Sequence, residues 1–214
     1  METLCLSHLI EEEMSLFPGT EPPSVKRIFS VEKDHFAETR LSFSSHTGTH
    51  MDAPAHMIHG GKTLDHYNPG SFAGPGVLVD ATAFGGKEIP LDIMVQKEEE
   101  IRKSDYLIIH TSWDRLWGRP GYFENYPVLS PKTALWLASL PLKGVGVDAP
   151  SLDPVKGPQR IHHILLGKGF LLVENLAGLD RLRGRRFFFS AFPPLYQKSD
   201  GAPVYAAAVF SPSP

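Results

Sequence analysis

Short runs of consecutive apolar residues, many of them β-branched or aromatic, recur along the chain. They fall at Gly76–Asp80, Tyr106–Thr111, Gly144–Asp148, Phe170–Glu174, Arg186–Phe192 and Val204–Phe210. Most are apolar throughout rather than alternating, which predicts strands covered on both faces. Three helical patterns separate them. Leu91–Lys103 places Ile93, Met94 and Ile101 on one side of a Glu-rich stretch. Ser130–Ser139 opens with Ser130 as N-cap and Pro131 in the first turn. Gln159–Leu166 follows Pro158 and stops at Gly167. Strands interleaved with helices predict an α/β fold with a mixed sheet and flanking helices. No linker or composition break divides the chain, so one domain over residues 1–214 is expected.

Composition narrows the class. The chain has 214 residues, 42% hydrophobic and 21% charged, which excludes collagen, coiled coil and disorder. A net charge of −3 gives no general attraction to nucleic acid or anionic lipid, and neither is expected as a partner. The one basic cluster, Arg181 to Arg186, reads as a solvated turn. Cys5 is the single cysteine, excluding an intramolecular disulfide framework. Glu11, Glu12 and Glu13 stand where a signal peptide would carry its apolar core, and no apolar run approaches the ~20 residues of a membrane span. A soluble, cytoplasmic protein is the expectation.

Histidine is the unusual item: ten in all, five of them between His46 and His66. The stretch reads Ser45-His46-Thr47-Gly48-Thr49-His50-Met51-Asp52-Ala53-Pro54-Ala55-His56. Gly48 and Pro54 argue against a helix here, and the alternation of Leu41, Phe43 and Ser45 before it suggests a strand. An extended chain would put His46, His50, Asp52 and His56 on one face. Four extended residues span about 13 Å, more than two imidazoles sharing one ion require, so the chain should bend between His46 and His50. Gly48 permits that bend at low steric cost. Imidazoles and a carboxylate without thiolate suit Zn²⁺, Mn²⁺ or Fe²⁺. A metal centre of this kind needs an acid–base group, and His56 is the spare one. His8, His35, His59, His66 and His110 read as ordinary surface or hydrogen-bonded residues.

The motif His46-x-Gly48-Thr49-His50-x-Asp52-x-Pro54-x-His56 resembles the signature of the metal-dependent cyclase-like hydrolases, a family that includes bacterial kynurenine formamidase (arylformamidase) and isatin hydrolase. Two further blocks support the resemblance, Gly146-Val147-Asp148-Ala149-Pro150-Ser151-Leu152-Asp153 and His162 followed by Glu174-Asn175-Leu176. It runs from about Leu6 to Phe210 and implies a swivelling β/β/α fold. It further implies that His46, His50 and Asp52 hold one ion and His162 a second, with Asp52 and Glu174 bridging. Zn²⁺ is the expected metal, at one or two ions, with Mn²⁺ the alternative. His56 would give and take the proton, and His163 is the neighbour to weigh against His162. Phe17, in Phe17-Pro18-Gly19-Thr20, stands where kynurenine formamidases place a substrate-contacting aromatic, usually Trp with an Asp after the Gly.

A small-molecule substrate and a homo-oligomer, dimer or larger, follow from the same resemblance. The expected reaction is hydrolysis of a C–N amide bond, N-formylkynurenine to kynurenine and formate in tryptophan catabolism. An isatin-type cyclic amide or a lactone is the alternative within the family. Outside it stand a non-haem iron oxygenase built on His50, Asp52 and His162, and a non-catalytic metal-binding protein. Asp148 and Asp153 could orient imidazoles or cap loops. The aromatic loop Trp113, Trp117, Tyr122, Phe123 and Tyr126 could pack as core or cover a substrate.

Overall fold

In chain order the strands are β1 (Glu2–Cys5), β2 (Ser24–Phe29), β3 (Glu38–Ser42), β4 (His50–Asp52), β5 (Ala73–Asp80), β6 (Glu88–Ile89), β7 (Tyr106–His110), β8 (Val128–Leu129), β9 (Gly144–Val147), β10 (Leu171–Glu174), β11 (Phe187–Phe192), β12 (Gly201–Pro203) and β13 (Tyr205–Phe210). The helices are α1 (Val31–Asp34), α2 (Leu91–Val95), α3 (Glu98–Arg102), α4 (Pro131–Leu137) and α5 (Arg160–Leu166). The structure is a computed structural model and describes residues 2–210.

Nine strands form one sheet in the order β1-β13-β11-β5-β7-β9-β10-β4-β12. Its centre, β5-β7-β9-β10, is parallel, and its flanks are antiparallel. The register aligns Val77, Leu107, Val145 and Leu172 across the four central strands. All four point into a core covered by α2, α4 and α5. Their neighbours Tyr106, Ile108, Leu171 and Val173 point the other way, into a second core built with Leu4, Met51, Phe187, Phe189 and Phe210. Both faces of the centre are therefore covered, which is why its strands read as unbroken apolar runs. Each such large side chain contributes on the order of 1.5–3 kcal/mol by leaving water.

The strands and helices expected from the six apolar runs and the Ser130 and Gln159 segments are present within one or two residues of their expected ends, except that β5 begins three residues earlier, at Ala73. Ser130 caps α4, accepting from the Thr133 backbone N–H at 3.1 Å. One expectation fails: Leu91–Lys103 is two helices, interrupted at Gln96 and Lys97. The break places Glu98, Glu99 and Glu100 in the first turn of α3, where carboxylates meet the positive end of the helix. Arg102 and Lys103 then pair with Glu98 and Glu99 one turn back.

The extended reading of residues 46–56 is corrected too. Strand β3 stops at Ser42, His46 lies in a turn, only His50–Asp52 is strand, and Pro54–His56 is a single 3-10 turn. Gly48 makes the expected bend, with φ +65°. A backbone that turns at Gly48 and again at Pro54 brings the histidines together from three directions, where a straight strand would have spread them.

A candidate metal centre

Strand β4 is short and lies between β10 and β12. Its register sets His50 directly opposite Glu174 and Asp52 opposite Leu172, so His50, Asp52 and Glu174 share one face. That is the face covered by α5, which supplies His162. Asp52, His50, His162 and Glu174 are all buried.

The four meet at separations suited to one small cation. His50 Nε2 stands 3.4 Å from Asp52 Oδ1 and 3.6 Å from Glu174 Oε2. His162 Nε2 stands 3.6 Å from Asp52 Oδ2 and 3.2 Å from Glu174 Oε1. Donors about 2.1 Å from a tetrahedral ion lie roughly 3.4 Å apart. No lysine or arginine pairs with either carboxylate among the described residues. Two buried carboxylates without a cation would be costly, and the donor set fits a divalent metal.

Each imidazole is aimed by a second contact. His50 donates from Nδ1 to the Gly48 carbonyl at 2.9 Å, leaving Nε2 toward the nest. His162 donates from Nδ1 to Asp153 at 2.7 Å. The same Asp153 accepts from the backbone N–H groups of Ile161 and His162 at the start of α5. It therefore both caps the helix and orients the ring. His163, the neighbour, is exposed.

His46 sits beside this nest. Its ring donates to Asp52 at 2.6 Å and faces Asp200 at 3.0 Å through its other nitrogen. His46, Asp52 and His56 form a second group of donors within 4.8 Å of one another, joined to the first through Asp52. The His56 ring packs against His46 at a tilt of 38° with centroids 3.9 Å apart, and its Nδ1 is 3.7 Å from Asp200. Gly201 makes room for this arrangement, because a Cβ there would collide with the His46 ring.

Charge follows the packing. Burial opposes ionisation of Asp52, yet His46, His162 and His50 hold its carboxyl well below the usual range. Burial likewise opposes charge on His46, but Asp52 and Asp200 raise the ring to about 10. His162 is raised against its burial by Asp153, Asp52 and Glu174. His56 moves the other way: burial lowers it, as do the neighbouring His46 and His162.

These residues open into a cavity of about 600 Å³, also lined by Phe17, Thr20, Glu21, Phe123 and Asn175. Phe17 and Phe123 meet edge to face, 5.8 Å between centroids. From the aromatic loop only Phe123 reaches the cavity; Tyr122 and Tyr126 are buried. Tyr122 donates to Asn175, whose amide donates to the same Gly48 carbonyl that fixes His50. Asp148 does not touch the nest and instead accepts from Thr111 and Ser112. Asp200 carried no sequence signal, since its contact with His46 joins residues 154 positions apart.

Comparison with known proteins agrees with this geometry. A family model described as putative cyclase matches residues 4–154. The kynurenine formamidase of Geobacillus thermodenitrificans is 28% identical over 205 residues, covering 94% of each chain. Isatin hydrolase A of Labrenzia aggregata superposes with a TM-score of 0.86 at 21% identity, over 98% of this chain and 93% of that one. A solved structure described as a potential metal-dependent hydrolase with cyclase activity gives a TM-score of 0.78 at 25% identity, over 97% and 96% of the two chains. With residues 4–154 matched and both site segments folded into one buried nest, the chain belongs to the cyclase family of metal-dependent hydrolases.

Proposed function

We propose that this enzyme hydrolyses the amide bond of an aryl formamide, N-formylkynurenine first, releasing kynurenine and formate. The observation that carries the reading is an imidazole, His56, standing beside a buried nest of two carboxylates and two imidazoles at the floor of an aromatic-edged cavity. Its formamidase relatives, aligned over nearly the whole chain, support the substrate.

In this reading His46, His50, Asp52, His162 and Glu174 hold one or two divalent ions, Zn²⁺ ahead of Mn²⁺. When bound, such an ion polarises a carbonyl and lowers the pKa of water. The chain's own residues do the rest. Phe17 and Phe123 flank the aryl group, and burial of the ring excludes water from it. His56 takes a proton from water as the C–O bond forms and returns it to the aniline nitrogen as the C–N bond breaks. Asp200 faces Nδ1 of His56, leaving Nε2 as the nitrogen for the transfer. The enzyme works in the cytoplasm as a homo-oligomer.

Thr20 favours a second substrate. It lines the cavity with an uncharged side chain at the place where kynurenine formamidases usually carry Asp. A cyclic amide such as isatin, or a lactone, has no amino group to meet an acid there, and the same attack opens its ring.

The test is hydrolysis of N-formylkynurenine and isatin by enzyme of measured metal content. His56→Ala is expected to keep its metal and lose about 10²–10⁴ in turnover. Unchanged turnover in that variant would remove His56 from the mechanism, and inactivity of the loaded wild-type enzyme on both compounds would sink the substrate reading.

A further inference from the structure

One side chain borders three cavities. The catalytic cavity of about 600 Å³ is flanked by a groove of about 360 Å³ and a smaller cavity of about 260 Å³. Phe123 lines all three and, among the described residues, is the one they have in common. The loop around it is anchored. The Tyr122 hydroxyl donates to the Asn175 side chain at 2.8 Å, and the Trp113 indole donates to the Tyr122 carbonyl at 2.7 Å. Three residues on, the Tyr126 hydroxyl donates to the Asp153 carbonyl at 2.6 Å. The Phe123 ring itself is held by edge-to-face contacts, with Phe17 at 5.8 Å and Tyr122 at 5.0 Å between centroids. It stands as a partition on a fixed backbone.

The walls on its two sides differ. Toward the groove, Phe123 shares the wall with Ser15, whose hydroxyl accepts from the Gly118 backbone N–H at 2.8 Å. Charged Glu13, Arg119 and Glu124 line the groove beyond, and an apolar group gains little by entering among them. Toward the smaller cavity the wall is Phe123 and Val155, two side chains with no hydrogen-bonding group. Tyr126, Val128 and Pro154 line the space behind them, and the Lys87 and Glu88 that also border it are opposite in charge. That space suits an uncharged, apolar extension of whatever occupies the catalytic cavity.

We propose that Phe123 sets the length of substrate this enzyme accepts: with Val155, its ring closes the passage from the catalytic cavity into the 260 Å³ one, so that amides with a single ring fit and amides carrying a second ring do not. The inference rests on the aryl-amide reading of the site and adds a size limit to it. A smaller side chain at position 123 joins the two cavities and lifts the limit.

The test compares kcat/KM of the metal-loaded enzyme for formanilide and for formanilides with a second phenyl ring at the meta or para position. Wild type is expected to favour formanilide. Phe123→Ala should shift the ratio toward a two-ring substrate by about tenfold to a hundredfold, the range for taking a phenyl group out of water. Phe123→Leu should shift it in the same direction by less, and serves if the alanine variant fails to fold. Phe123→Tyr keeps the ring and should keep the wild-type ratio. Adding Val155→Phe to Phe123→Ala should restore that ratio by refilling the passage, which a merely loosened fold would not do. An unchanged ratio in both shortened variants, or a wild type that takes both classes equally, would overturn the proposal. So would a relaxed ratio that Val155→Phe fails to restore, which would move the extension into the groove. The parent amines, aniline and its phenyl derivatives, give the same comparison as binding constants. Selectivity among the amines without hydrolysis of any formamide would sink the aryl-formamide reading alone, and hydrolysis without selectivity would sink this inference alone.

Discussion

Asp148 is fully buried and accepts three hydrogen bonds from Thr111 and Ser112, while the ring nitrogen nearest it, Nε2 of His110 at 3.8 Å, has its own charge opposed by burial. Burial outweighs those bonds and raises its carboxyl to about 7. A carboxyl raised on folding stabilises the folded chain when protonated. That contribution is complete below the ordinary carboxylate range and is lost as pH rises through about 7. Denaturant titrations of wild type and Asp148→Asn should therefore differ in favour of wild type near pH 5, with the difference shrinking by pH 8. A difference independent of pH would mean that Asp148 is ionised throughout. At this scale the centre was legible where chemistry is local. His46, His50, Asp52 and His56 announce themselves by type and spacing, and Glu174 by standing at the end of a buried strand. Asp200 and Asn175 did not, because what they do depends on partners far away in the chain.

Elements aim the residues. Helix α5 is short, and Asp153 fastens its first turn while holding the His162 ring. Asp153→Asn is expected to weaken metal affinity about 10–100-fold in a chelator competition, since such partners set ligand orientation and basicity. His163→Ala on the exposed side of the same turn should leave it unchanged. Ser130→Ala should cost about 1 kcal/mol in chemical denaturation through loss of the α4 cap, with no effect on metal. Central strands were readable because burial on both faces leaves a continuous apolar signature. Strand β4 was not. Three residues carrying two of the nest's polar side chains look like a loop until β10 and β12 are known to flank them. The split of α2 from α3 was hidden as well, since the Glu run satisfies both a long solvated helix and a fresh N-terminus.

The molecule as a whole is tied together at its centre of charge. Asp52 and Glu174 draw on β4, β10 and α5 at once, so a cation bound among them stabilises the folded chain against the unfolded one. Chelation is expected to lower the melting temperature and Zn²⁺ to restore it, whereas an unchanged melting temperature would place the metal outside the fold's own support. Strand β4 belongs to the first quarter of the sequence, but both of its neighbours in the sheet come from the last quarter or near it. A ribosome has therefore released His50 and Asp52 long before Glu174, Asp200 and Gly201 exist to receive them. Nascent chains must carry these imidazoles unseated until residue 201 has been made, so any ion captured there waits for that point of synthesis, and a product stopped short of Asp200 is expected to be inert.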